Sequence, residues 1–196
     1  MDILFVSANS RDKYIDIERE HRTLQKLVAT GGHSLRVLPA AEVSDLRDAL
    51  RTNEKERAFD ILHFSGHATQ EEGLHLRGEG RRKDFLSGET LKELLKGSGV
   101  KLVVLNACHS EALAVSLSEV IPATIGTTRI VRDVAARRFT RHFYSALKDN
   151  ATVKDAFETA LKQQKPSSSP AFMHAGRTTL RRIDQSRIRT TRSITQ

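Results

Sequence analysis

The chain has 196 residues, enough for one domain with an appendage and for a real hydrophobic core. Hydrophobic residues make up 38% and aromatics 5%, with no Trp, and no apolar run is long enough to span a membrane. The formal charge of +8 is uneven: residues 166–196 carry six Arg and one Asp, while the first 165 residues carry 26 basic and 23 acidic groups, so the excess reads as a solvated basic tail more than as a nucleic-acid surface.

In chain order, residues 3–7 form a short, almost wholly apolar run that reads as a buried strand. The start is too acidic and the run too short for a signal peptide, so the expected location is the cytoplasm. A helix is predicted over 17–30, with Ile17, Leu24, Leu27 and Val28 at helical spacing and Gly31-Gly32 as its stop. A second strand at 34–38 ends at Pro39, and a second helix at 43–51 shows Val43, Leu46 and Leu50 on one face. A third strand occupies 61–65. Residues 73–76 and 84–86 flank the polar turn 77–83, which predicts a hairpin with a basic tip. Ser87 is a natural N-cap for a helix carrying Leu91, Leu94 and Leu95. A strong buried strand at 100–105 is followed, after Cys108, by a short helix reaching Val120. A strand at 123–126 and helices at 133–147 and 152–163 complete the ordered pattern. The stretch 166–170 reads as a Pro/Ser linker, and the residues beyond it lack a clear apolar period. The expected division is therefore a domain at 1–165 and a linker with basic tail at 166–196. Strand alternating with helix points to an α/β fold, a mostly parallel sheet with helices on both faces.

His67 follows one predicted strand and Cys108 follows another, 41 residues later. If those strands are neighbours in a parallel sheet, both side chains emerge at its carboxyl edge, where such sheets place their sites. A free thiol, with a pKa of about 8.5, is mostly protonated at neutral pH, and an adjacent imidazole activates it. The spacing alone leaves two readings open: a catalytic pair, or a turn histidine and a buried core thiol. A zinc site built from His63, His67, His75, Cys108 and His109 lacks a second spaced ligand pair, and His63 reads better as a satisfied core histidine. No metal is expected. Nor is a nucleotide fold, because 8–11 holds no Gly-rich phosphate turn.

The stretch 60–68, Asp-Ile-Leu-His-Phe-Ser-Gly-His-Ala, resembles the histidine motif of CHAT domains, a family of caspase-like cysteine proteases. The stretch 101–110, Lys-Leu-Val-Val-Leu-Asn-Ala-Cys-His-Ser, is similar to their cysteine motif, and 125–128, 133–139 and 143–144 resemble the segment that follows. The opening 3–9 matches as well, so the resemblance covers about 3–162. It implies a caspase-like three-layer sandwich and an endopeptidase acting on protein substrates, with His67 as general base, Cys108 as nucleophile and no cofactor. The expected oxyanion donors are the amides of Ala68 and Cys108. The family also implies a regulatory or sensor partner and a role in bacterial stress or defence. Ala68 and Glu111 stand where many relatives have Gly.

For substrate binding the expected residues are Gly66, Asn106 and Asp133. By similarity to relatives that cut after Arg or Lys, Asp133 would line the pocket for that residue; the plainer alternative is a helix N-cap. Self-cleavage at the basic tip 81–83 is a further expectation. The competing functional readings are a catalytically silent interaction module of the same fold and a nucleic-acid binder using the Arg-rich tail.

Overall fold

Alternation along the first strand sets the architecture. In β1 (Asp2–Ala8), Leu4, Val6 and Ala8 enter one apolar cluster while Ile3 and Phe5 enter another. A strand buried on both faces belongs inside a parallel sheet covered twice by helices. The computed structural model, which describes residues 1–9, 14–51, 58–78, 83–128, 130–163 and 172–176, has that form. Six strands run in the order β2 (Ser34–Leu38), β1, β3 (Ile61–Gly66), β7 (Leu102–Asn106), β8 (Ala123–Thr127) and β9 (Phe172–Gly176). All neighbours are parallel except β8 and β9. A second, antiparallel sheet contains β4 (Ala68–Thr69), β5 (Gly73–Arg77) and β6 (Lys83–Leu86).

One face of the large sheet is covered by α2 (Val43–Leu50), α3 (Gly88–Leu95) and α4 (Glu111–Leu117), through Leu46, Leu50, Leu91, Leu95, Ala114 and Leu117. The other is covered by α1 (Ile17–Val28), α5 (Asp133–Lys148) and α6 (Val153–Lys162), through Leu24, Phe139, Phe143 and Ala156. These are the three layers of an α/β sandwich. The Ser87 cap forms as expected, its hydroxyl accepting the Thr90 N–H at 3.2 Å.

Three features differ from the sequence reading. The helix after Cys108 ends at Leu117 rather than Val120, in a tight turn closed by Val120 N–H to Leu117 C=O at 3.1 Å. The hairpin gains a third strand, β4, directly after His67. The large sheet takes in β9, beyond the boundary drawn at 165. Its segment is too short to show a period. What seats it is Phe172, 6% exposed and stacked on Phe139 with ring centroids 4.0 Å apart. The basic tip at 81–82, the linker at 166–170 and the Arg-rich stretch from 177 onward lie outside the described residues.

Candidate active site

Register brings His67 and Cys108 to one place. Strands β3 and β7 are adjacent and parallel, with Ser65 opposite Asn106. His67 and Cys108 each come two residues after that pair, so they leave neighbouring strands, about 4.8 Å apart, at the same level of the carboxyl edge. Both are half-buried.

The turn carrying Cys108 is held on three sides. The Ser110 hydroxyl donates to the Leu105 carbonyl at 3.2 Å and accepts the Thr127 N–H at 3.0 Å. The Thr127 hydroxyl donates to the Ala107 carbonyl. His109, next to Cys108, is exposed and has a φ of 55°, a conformation uncommon outside glycine that its anchored neighbours enforce. Sequence reasoning quoted 125–128 only for its resemblance; its physical part is to fasten this turn to β8.

The turn carrying His67 is fixed by β5. The His75 N–H donates to the His67 carbonyl at 2.9 Å. That bond makes Ala68 and Leu74, which face each other in the register, a non-hydrogen-bonded pair. The Ala68 N–H therefore points away from β5. The His75 ring lies 6.5 Å from the His67 ring, and its Nε2 is 3.2 Å from a Glu72 carboxylate oxygen.

Beside Cys108 is a small cavity of about 30 Å³, lined by Ile15, Asp16, Glu20, Gly66, Asn106 and Asp133 among others. Three carboxylates therefore border it. Asp133 is the first residue of α5, one place inside the N-cap position, which Arg132 holds. Its Oδ2 instead accepts the Asp16 N–H at 3.2 Å, so the N-cap alternative does not describe it. Asp16 is held in turn by Arg137, Nη1 to Oδ2 at 3.5 Å, and by Arg19 at 3.1 Å. The approach of this segment is set by Asn9, whose side chain donates to the Ile15 carbonyl at 2.7 Å and accepts the Ile15 N–H at 3.0 Å. On the opposite side of the edge a second cavity, about 200 Å³, is lined by Ala68, Thr69, Gly73, His109 and Leu113. Gly66 is constrained by packing: a Cβ there would stand 2.7 Å from the Ala8 carbonyl oxygen and 2.8 Å from the Phe64 ring.

Sequence reasoning missed Glu20. It is 3% exposed, and its carboxylate gathers the polar residues of both site-bearing strands. The Ser65 hydroxyl donates to Oε2 at 2.6 Å. Asn106 Nδ2 and the Thr140 hydroxyl each donate to Oε1 at 2.6 Å, and His63 Nε2 lies 3.1 Å from it. His63 is fully buried, as expected of a satisfied core histidine, and its Nδ1 is 2.9 Å from the Tyr144 hydroxyl. Burial pushes the Glu20 carboxyl up, but His63 and the Ser65 and Thr140 hydroxyls outweigh it and hold it below the usual carboxylate range. Burial, and then the Glu20 charge, raise the Tyr144 phenol well above its ordinary value. The missed signal was a periodic one: Ile17, Glu20 and Leu24 share one face, so an acid sat on the apolar stripe of α1. Asn106, expected to meet substrate, borders the cavity but spends its amide on Glu20.

No group of three His, Cys, Asp or Glu side chains suited to a metal occurs among the described residues. No described helix is long and apolar enough to cross a membrane.

Comparison with solved structures places the architecture. Caspase-1 from Spodoptera frugiperda aligns over 90% of this chain and 85% of its own, with a TM-score of 0.58 and 12% identity. The Arg-specific cysteine proteinase gingipain R aligns over 83% of this chain and 41% of its own, with a TM-score of 0.56 and 12% identity. Among sequence relatives, a "Probable protease" of Gillisia limnaea (strain DSM 15749 / LMG 21470 / R-8282) is 27% identical over 154 residues, 74% of this chain and 26% of that protein. A "Roc-COR-CHAT protease" from an unknown prokaryotic organism is 26% identical over 125 residues, 59% of this chain and 12% of that protein. The chain thus spans about a quarter or less of the length of these relatives. The CHAT domain model matches residues 10–176, from the loop after β1 through β9. With the paired histidine and cysteine motifs on adjacent strands of a caspase-like sheet, this chain belongs to the CHAT domain family.

Proposed function

We propose that this chain is a cysteine endopeptidase domain in which Cys108 is the nucleophile and His67 the general base. The observation that carries the reading is the register: two motifs distant in sequence leave adjacent parallel strands at one level. The protease names of two CHAT relatives support the same chemistry.

In the proposed reaction His67 takes the Cys108 proton, and the thiolate attacks the carbonyl carbon of the scissile peptide. The oxyanion that forms is met by the amides of Ala68 and Cys108. Collapse breaks the C–N bond, His67 returns its proton to the leaving amine, and an acyl-thioester remains on Cys108. Water, deprotonated by His67, then attacks the thioester, releases the carboxylate product and restores the thiol.

The residue before the cut is Arg or Lys in this reading, because Asp16, Glu20 and Asp133 border the cavity beside Cys108. At about 30 Å³ that cavity holds little more than a water. A guanidinium enters only as Arg137 gives way from Asp16. The substrate is a protein segment, no cofactor takes part, and the domain serves as a regulated effector under a sensor protein or domain in bacterial defence or stress.

The test is covalent labelling, read by intact mass, with an electrophilic peptide probe ending in Arg, beside a probe ending in Asp. One adduct with the Arg probe, weak reaction with the Asp probe and no adduct on Cys108→Ala is the expected outcome. Absence of any adduct on wild type, under conditions where its fold is intact, favours the silent interaction module.

A further inference from the structure

The outer surfaces of α1 and α5 carry a feature the proposed chemistry does not use. On α1 the residues Arg19, Arg22, Thr23 and Lys26 recur at helical spacing, on the side away from the buried Ile17, Glu20 and Leu24. On α5 the same holds for Val134, Arg137, Arg138, Arg141 and His142, away from Phe139, Thr140 and Phe143. The two stripes face a common cleft of about 820 Å³. Among the described residues six Arg and Lys side chains line it, and the acidic side chain that pairs with them is Asp16, bound to Arg19 and Arg137. Among the described residues Arg22, Lys26, Arg138 and Arg141 have no carboxylate within salt-bridge distance. The His142 imidazole is held below its ordinary pKa by burial and by Arg141 and Arg138. Val134, 63% exposed, adds an apolar contact among these charges.

We propose that the α1–α5 cleft docks a short acidic segment of a partner polypeptide, a run of Asp and Glu interrupted by an aliphatic residue. The stripes, which run over residues 19–26 and 134–142, are roughly 10–12 Å long, about the span of three or four extended residues. Six cations over that length match a run of carboxylates, and Val134 matches an aliphatic side chain between them. Nucleic acid fits less well: among the described residues no Phe, Tyr or Trp lines the cleft to stack a base. The cleft adjoins the cavity beside Cys108 because Arg137 lines both. A docked segment therefore lies one side chain from the site. Direct binding is independent of whether the chain cleaves anything.

The experiment is fluorescence anisotropy of the full chain with a labelled octapeptide of six Asp/Glu and two Leu. A Gln/Ser octapeptide and a single-stranded 12-mer DNA serve as comparisons. The expected result is binding of the acidic peptide that weakens with salt, weakens at least tenfold in Arg22→Glu/Arg141→Glu, and changes less than twofold when Arg181 and Arg182 of the tail are reversed to Glu. In NMR, the His142 pKa rises when the peptide is added. If the double reversal does not fold cooperatively, Lys26→Gln/Arg138→Gln replaces it, with at least a threefold loss expected. The proposal is overturned if wild type does not bind the acidic peptide, if cleft variants bind it as well as wild type, or if the DNA binds more tightly and loses affinity in the same variants.

Discussion

His63 and His67 sit four residues apart on one stretch of chain, yet they occupy opposite kinds of environment. His63 lies inside β3, is fully buried, stacks on Phe5 at 5.2 Å, and has both ring nitrogens within hydrogen-bond distance of a partner, Glu20 and Tyr144. His67 lies just past the strand, half-buried at the sheet edge beside the Cys108 turn. An imidazole enclosed by fixed partners stabilises the fold. One at the edge of a sheet, half-buried beside a half-buried thiol, stands where the proposed reaction needs its base. The same contrast divides the carboxylates: Glu20 is buried and consumed by four donors, while Asp133 and Asp16 are half-buried.

The comparison breaks most sharply at the two histidines. His67→Ala is expected to slow labelling by the Arg probe on the order of 10²–10⁴-fold while leaving the melting temperature close to wild type. If His67→Ala labels as fast as wild type, the edge position has no catalytic meaning. His63→Ala is expected to act the other way. It leaves a buried carboxylate short of a partner, which costs about 3–5 kcal/mol and lowers the melting temperature on the order of 10 °C. Calorimetry of the two variants side by side gives the answer.

Asp133→Asn sharpens the carboxylate half of the comparison. It removes one charge from the cavity border and should reduce reaction with the Arg probe roughly tenfold, a loss of about 1.4 kcal/mol, with little change for an uncharged probe. An equal loss for both probes would remove Asp133 from substrate selection.

The gentlest test uses acid. The Glu20 carboxyl is held below its unfolded value, so its contribution to stability is intact above the ordinary carboxylate range, about 4.3, and is lost as pH falls through its lower folded value. Wild type should therefore lose more stability between pH 7 and pH 3 than Glu20→Gln does. Parallel curves for the two proteins would mean that folding does not lower the Glu20 pKa, and a relative gain of stability by wild type toward acid would mean that Glu20 is protonated in the folded state.

Much of the site was legible because its signals are local. The order of motifs, the buried strands before His67 and Cys108, the cap at Ser87 and the enclosed nature of His63 all follow from short apolar runs with a polar residue at a strand end or within a strand. Neighbouring strands joined by a single crossover helix are common, so the juxtaposition of β3 and β7 was a fair expectation. Two parts were not legible. Phe172–Gly176 has no period of its own, and it becomes a strand because Phe172 stacks on Phe139 and β8 offers an open edge. Glu20 reads as one charged residue in an ordinary helix, and its donors come from β3, β7 and α5, up to 120 residues away.

From residue types and spacing came the α/β class and the placement of His67 and Cys108 after two buried strands, and from the resemblance of short motifs came the family and the reading of the two as a pair, since these depend on patterns a few residues long. Only the tertiary structure decided which carboxylates border the cavity, that Asp133 holds Asp16 rather than capping its helix, and that the cations of α1 and α5 face one cleft. Each of these is a relation between elements far apart in the chain, and such relations are set by how the helices pack across the sheet.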